Sequence, residues 1–366
     1  MIEQVAAAFD RKDYKTAIQL LKQLQKQSPD NPWVKFYIGR AQEVSGKLES
    51  AEAAYRKLLQ ETTNPKVAIQ AREGLQRLEN IAKERRQQAI SQATADPANA
   101  GIGFLILEPV PSEARQTAAQ AFARIMKLDP YTARLQLPSR GWRLYRTGAM
   151  AELQIYGQNL RSADIPVFWA ALAAIQTIRV FQVHHFQSVS PQVTIICQDE
   201  TNQLGSLTFD WSEVKSRVEG MLPIFEDVVD LGVFNKLKRK EQTQDYVHVL
   251  DLHLPKRNCI LRVCDRTYQF HQGVIFNARQ DGQTPPNQIT TRIQWNQWLG
   301  FLHHQLPSVP IWSDFMPFAE TALDHLDLIK DLEAHIDLLR KAPTNWDAAF
   351  QLYSGLVFEY ARTGRS

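Results

Sequence analysis

Residues 14–29 read YKTAIQLLKQLQKQSP, and residues 48–63 read LESAEAAYRKLLQETT. The two stretches are one pattern displaced by 48 − 14 = 34 positions. Tyr14, Ala17, Leu21 and Leu24 fall on Leu48, Ala51, Tyr55 and Leu58. In the second copy Gly39 lies twelve residues before Ala51, and Gly46 lies five before it. Small side chains at Ala17, Gly39 and Ala51 allow helices to approach closely, and the larger ones fill the space beside them. A helix–turn–helix unit of this period cannot bury its apolar face alone, so it stacks on neighbours into a curved superhelix.

With those residues in place, the segment resembles the tetratricopeptide repeat (TPR) family. Gly39, Gly46, Leu48, Ala51, Tyr55 and Leu58 match its small and large positions, as do Ala17, Leu21, Leu24 and Pro29. The first copy lacks most of the opening-helix signature. The resemblance covers roughly the first 90 residues, counted from the repeat period. It implies a protein or peptide partner held in a concave face lined by the first helix of each repeat. Carried onto this chain, that face holds Phe36, Arg40, Glu43 and Val44. Members that bind chaperone tails use a Lys/Asn set, and here Phe36 and Arg40 occupy the key positions, which speaks against such acidic tails.

At 366 residues the chain has room for two to four domains. Apolar residues make up 44% and charged residues 22%, an ordinary globular composition. Lys plus Arg exceeds Asp plus Glu by 42 − 39 = 3, too little to imply nucleic acid as an obligate partner. The excess is uneven: residues 1–92 carry 16 − 11 = +5, and residues 313–366 carry 5 − 9 = −4. Three cysteines without paired spacing fit a reducing compartment. The opening Met1-Ile2-Glu3-Gln4 has no leader pattern, and no apolar run is long enough to span a bilayer. These features predict a cytoplasmic protein with no transmembrane segment.

Beyond the repeats, the periodicity predicts a mixed, multidomain chain of α and α+β parts. Residues 1–92 form the solenoid with a cap helix over Val67–Gln92, and 93–101 form a linker. Residues 102–173 give strand, helix, strand, strand, helix, strand. That is the order of a ferredoxin-like βαββαβ domain, with its second strand at Tyr131–Leu137. The third part is a duplicated antiparallel β unit, at 174–230 and 231–317. Phe209-Asp210-Trp211-Ser212 aligns with Ile293-Gln294-Trp295-Asn296, and Leu222-Pro223 with Leu306-Pro307, both at an offset of 84 (295 − 211). Each copy then reads as a strand ending in Trp, a cap, an eleven-residue helix and a Leu-Pro stop. Residues 318–366 read as C-terminal helices, with a final helix through Tyr353, Leu356, Tyr360 and Gly364.

No phosphate loop, dinucleotide fingerprint, nucleophile elbow or H-E-x-x-H motif occurs. His248 and His253 are five apart on one predicted strand, so they face opposite ways and cannot share a metal. Cys259 and Cys264 also lack chelate spacing. No cofactor and no metal is expected. Lys236-Leu237-Lys238-Arg239-Lys240 carries the charge to meet an anionic lipid or nucleic acid, and with the Trp-rich stretch Ile311–Phe318 it is the ground for peripheral membrane contact. It lacks interleaved aromatics and reads as a solvated loop between the β units. The sequence therefore predicts a non-enzymatic interaction protein, a scaffold or assembly factor. The alternative is a regulatory sensor that binds a small ligand through the ferredoxin-like domain.

Overall fold

A computed structural model describes residues 1–96, 99–231, 237–276, 290–338, 340 and 342–363, with backbone alone over 226–231 and 237–241. The chain separates into two compact units, Met1–Gln92 and Ala93–Ser366.

The first unit is wholly helical: α1 (Ile2–Asp10), α2 (Tyr14–Gln27), α3 (Pro32–Val44), α4 (Leu48–Glu61) and α5 (Pro65–Thr94), whose last two residues pass the boundary. Its starts are written in the sequence. Asp13 accepts a hydrogen bond from the Thr16 amide at the head of α2. Asn31 accepts one from the Trp33 amide at the head of α3, where Pro32 occupies the first turn. The tight turn between paired helices needs one residue in the left-handed region. Gly46 supplies it in the second copy (φ +76°), and Lys12, thirty-four positions earlier (46 − 12), takes the same conformation (φ +61°). The repeat is thus conserved in backbone shape where its glycine is missing. Ala17, Ala51, Tyr55 and Leu58 are buried, as the repeat requires.

The second unit is layered. A three-stranded antiparallel sheet has β1 (Ile102–Leu107) between β2 (Arg143–Ala149) and β3 (Val167–Ala171). Alternate residues of β1 face opposite layers. Leu105 and Leu107 pack with Phe122 of α6 (Arg115–Met126) and Leu153 and Leu160 of α8 (Met150–Arg161). Phe104 and Ile106 join Trp142 and Phe168 in the central core.

A seven-stranded sheet follows. Its strands are β4 (Arg179–Ser188), β5 (Val193–Gln198), β6 (Leu204–Phe209), β7 (Ser216–Leu231), β8 (Leu237–Leu254), β9 (Cys259–Cys264) and β10 (Ile311–Trp312). Its order is β10-β7-β8-β9-β4-β5-β6, with β4–β9 and β7–β10 parallel and the other pairs antiparallel. One face carries Leu250, Leu252, Leu261 and Val263 against Trp295, Trp298 and Leu302 of α10 (Thr291–Gln305). The other carries Val218, Leu222, Val247 and Val249 into the central core. There they meet Phe315 and Phe318 of α11 (Phe315–Ala322) and the long α13 (Asn345–Arg362).

Helix α13 is buried at every residue from Asp347 to Glu359. Apolar side chains lie on all its faces, and such a helix is stable only when enclosed. It is therefore the central element of the second unit. Gly364, placed on it from sequence, lies outside the described residues.

Three further expectations are corrected. The ferredoxin-like arrangement fails because Tyr131–Leu137 is no strand: Pro130–Gln136 is helix α7. Asp129 caps it through the Thr132 amide, and Pro130 sits at its first position. The apparent alternation was a helical i, i+4 pair. Ala133 and Leu137 are buried, whereas Tyr131 and Leu135 are exposed.

The duplication also fails. After Trp211 the chain makes one 3-10 turn (Trp211–Glu213) and enters β7, while Trp295 lies within helix α10. Segments 178–224 and 246–308 have different strand content, so the shared Trp and Leu-Pro spacing is coincidence. Val218, Gly220 and Leu222 alternate inward, which commits Ser216–Leu222 to strand once β8 is available to pair. Residues 318–366, expected to be helical, are not so throughout. A 3-10 turn (Leu323–His325) leads into α12 (Leu326–Ile329), and irregular chain follows. The basic run belongs to β8 from Leu237 onward, and Lys236 lies outside the described residues.

Candidate partner-binding surface

In the helical unit, α3 carries all four residues expected to line the concave face. The structure brings them onto one side of that helix and gives them unequal roles. Phe36 is only 1% exposed. Its ring lies among Trp33, Tyr37 and Tyr55, with centroids 6.0, 5.1 and 5.9 Å away. It is a core residue and offers no surface to a ligand. The expectation of an exposed apolar anchor at Phe36 is corrected for this reason: the aromatic neighbours of a short solenoid close over it.

Glu43 is also engaged internally. The Tyr55 hydroxyl donates to its Oε2 at 2.7 Å, and Arg77 of α5 forks onto both oxygens, at 2.9 and 3.1 Å. Burial works against the charged carboxyl. The Arg77 and Tyr55 hydrogen bonds outweigh it and hold the group below the usual carboxylate range. Burial and the Glu43 bond push the Tyr55 phenol up, so it stays a donor. One residue from each of α3, α4 and α5 is thereby tied into a single cluster.

The Tyr55 ring is confined from both sides. A Cβ on Gly39 would lie 2.7 Å from Tyr55 Cε1, and one on Gly74 would lie 2.6 Å from Cε2. Glycine at both positions is a packing requirement of the ring. Arg40 is half-buried with its guanidinium over the Phe9 ring, 5.6 Å from the centroid. Val44 is 38% exposed. Of the four, Arg40 and Val44 are therefore the ones a partner can reach.

In the second unit, the residues that most resemble catalytic machinery were not legible as a group. Asp251 and His253 lie two apart on β8 and face α13. Arg262 stands opposite Asp251 on β9, and Ser216 opposite His253 on β7. The Ser354 hydroxyl of α13 donates to Asp251 Oδ2 at 2.5 Å and lies 2.9 Å from His253 Nε2. His253 Nδ1 is 2.8 Å from Ser216 Oγ. All five residues are at most 2% exposed.

A nucleophilic triad places the carboxylate on the far imidazole nitrogen, to orient the base. Here the carboxylate binds the serine itself, and the far nitrogen meets a second serine. The cluster pins α13 to the sheet. Burial lowers the His253 pKa to about 4, so the ring is neutral at pH 7. Burial also pushes the thiols of Cys197, Cys259 and Cys264 up to about 11, which keeps them protonated. Among the described residues no three His, Cys, Asp or Glu side chains gather as a metal site, and no helix is long and apolar enough to cross a membrane.

Residues 8–73 match the tetratricopeptide repeat family. No curated protein and no solved structure matches the chain. The match spans α2 to α4 and the first turns of α5, the same helices whose close packing rests on Ala17, Gly39 and Ala51.

Proposed function

We propose that the protein is a non-enzymatic scaffold or assembly factor that recruits a protein partner through its N-terminal solenoid. The family match over residues 8–73 carries this reading, because helical repeats of this kind serve protein–protein interaction in general. The accessible part of the expected concave face is Arg40 with Val44, a cation beside an exposed apolar side chain. A partner that presents an acidic group next to an apolar one is complementary to that pair. The sealed Ser216–His253–Ser354 arrangement supports the non-enzymatic half of the proposal, since substrate cannot approach those hydroxyls without expelling α13.

The test is affinity capture from the native host with the full chain, comparing wild type with Arg40→Ala/Val44→Asp. Both positions are outside the buried core, so circular dichroism should be unchanged. A specific partner lost from the variant and retained by wild type is the expected result. Partners captured equally by both would remove this face from the proposal. Substituting Phe36 would be uninformative, because deleting its buried ring costs about 3–5 kcal/mol and unfolds the unit.

A further inference from the structure

The opposite side of α3 offers a better-formed receptor than the concave face. At 100° per residue, Ile38, Ala41, Gln42 and Ser45 point away from Phe36, Arg40, Glu43 and Val44. With α2 they line a groove of about 190 Å³. Ile18, Ile38 and Ala41 give it a partly exposed apolar floor. Lys22 of α2 stands on one bank and Lys47, just before α4, on the other. Both lysines are exposed, and among the described residues neither has an ionic partner. No carboxylate lines the groove.

Gln42 supplies the third observation. Its Oε1 is buried and accepts no hydrogen bond. A buried acceptor left unmade is costly, and a ligand donor in the groove would recover part of that cost once the Gln42 side chain turns toward it. The volume falls below the roughly 300–1,000 Å³ of small-molecule sites, and suits a single inserted side chain.

We infer that this groove is a docking site for an extended acidic peptide. One apolar side chain of the peptide rests on Ile18, Ile38 and Ala41, flanking carboxylates pair with Lys22 and Lys47, and a backbone N–H donates to Gln42 Oε1. The occupant is fixed by complementarity: two unpaired cations on the banks call for anionic flanks, an apolar floor calls for an apolar centre, and the lone acceptor calls for an amide. The inference rests on the interaction reading above and deepens it by giving the chemistry of a second partner surface.

The experiment selects short random peptides displayed on phage against the full-length chain, then measures the enriched peptides by fluorescence anisotropy. Enrichment of acidic sequences with a single Leu, Ile, Met or Phe is expected. Lys22→Glu/Lys47→Glu should weaken them about tenfold or more, because both ion pairs are lost and reversal adds repulsion. Ala41→Glu, which places a carboxylate on the floor, should do the same with unchanged circular dichroism. Arg40→Ala/Val44→Asp should leave affinity intact. Binding should fall as salt rises, because both banks are exposed.

Enriched peptides that are neutral or basic, no enrichment at all, or acidic peptides indifferent to the double reversal would each overturn the groove. If the groove fails while a host partner still depends on Arg40 and Val44, the interaction reading stands alone. If no peptide and no host partner depends on any of these substitutions, both fall.

Discussion

Replacing Arg262 with methionine tests whether α13 is held by the cluster beneath it. The guanidinium donates to Asp251 from Nε at 2.9 Å and from its second nitrogen at 2.6 Å, and a third nitrogen donates to the Ala334 carbonyl. Its carbon also sits 5.0 Å from the centre of the Phe350 ring. The two side chains are 2% and 0% exposed. Methionine keeps much of the volume and removes the charge, leaving the Asp251 carboxyl in the core without its cation and with Ser354 as its remaining side-chain donor.

Breaking a buried pair in this way costs about 3–5 kcal/mol. Total stability is about 5–15 kcal/mol, so the loss should be conspicuous in urea denaturation followed by tryptophan fluorescence. Arg257→Met supplies the contrast. Its bond to Glu213 lies near the surface, with side chains 39% and 19% exposed, and should contribute about 1 kcal/mol or less. The double variant Arg262→Met/Asp251→Leu removes both charges. It should regain most of the loss, because apolar residues can replace a buried pair at little cost. A single variant no worse than Arg257→Met, or a double variant as poor as the sum of both singles, would refute the reasoning.

Two other outcomes follow from the geometry. The His253 pKa falls from 6.5 to about 4 through burial, so between these values the unfolded chain binds more protons than the folded one. Stability is therefore full above about pH 6.5 and declines as pH falls toward 4, by up to about 3 kcal/mol at 1.36 kcal/mol per unit. Asp251 opposes this shift and Arg262 reinforces it. In His253→Asn, urea melts at several pH values should lose most of that slope, and an unchanged slope would show that another group is responsible. The second outcome is a difference in sign among glycines. Alanine at Gly300 of α10 meets open space and should gain up to about 1 kcal/mol of helix propensity. Alanine at Gly39 or Gly74 gains the same amount but strikes the Tyr55 ring, at a cost of about 1–3 kcal/mol, so both should lower the melting temperature of the solenoid.

The repeat was legible because its constraint is pairwise and local. A large ring at Tyr55 demands a small residue on the preceding helix, and Gly39 supplies it sixteen positions earlier (55 − 39). The same reading placed Phe36 on a binding face, since spacing gives the side of a helix and not what covers it. Tyr131–Leu137 misled because period-two alternation over seven residues contains an i, i+4 pair as well. The Asp129-Pro130 start was the signal that could have separated the two. The duplication rested on Trp and Leu-Pro landmarks, which say nothing of strand pairing. The buried polar cluster could not be foreseen as a group. Ser216 and Ser354 are 354 − 216 = 138 residues apart, and the only local trace is Asp251 and His253 on the same face of one strand.

The central position of α13 also orders events in time. Tyr360 donates to Glu108 across 252 residues, and Phe350 and Tyr353 share a core with Phe104 and Trp142. At about 5–20 residues per second, roughly 10–40 seconds of elongation separate completion of the first sheet at Ala171 from that of the helix that covers it, which ends at Arg362. Through that interval the inner face of the sheet, with Phe104, Ile106 and Phe168, has no lid. The solenoid draws its contacts from neighbouring helices and faces no such delay. Its groove and its concave face are complete while most of the second unit is still being synthesised.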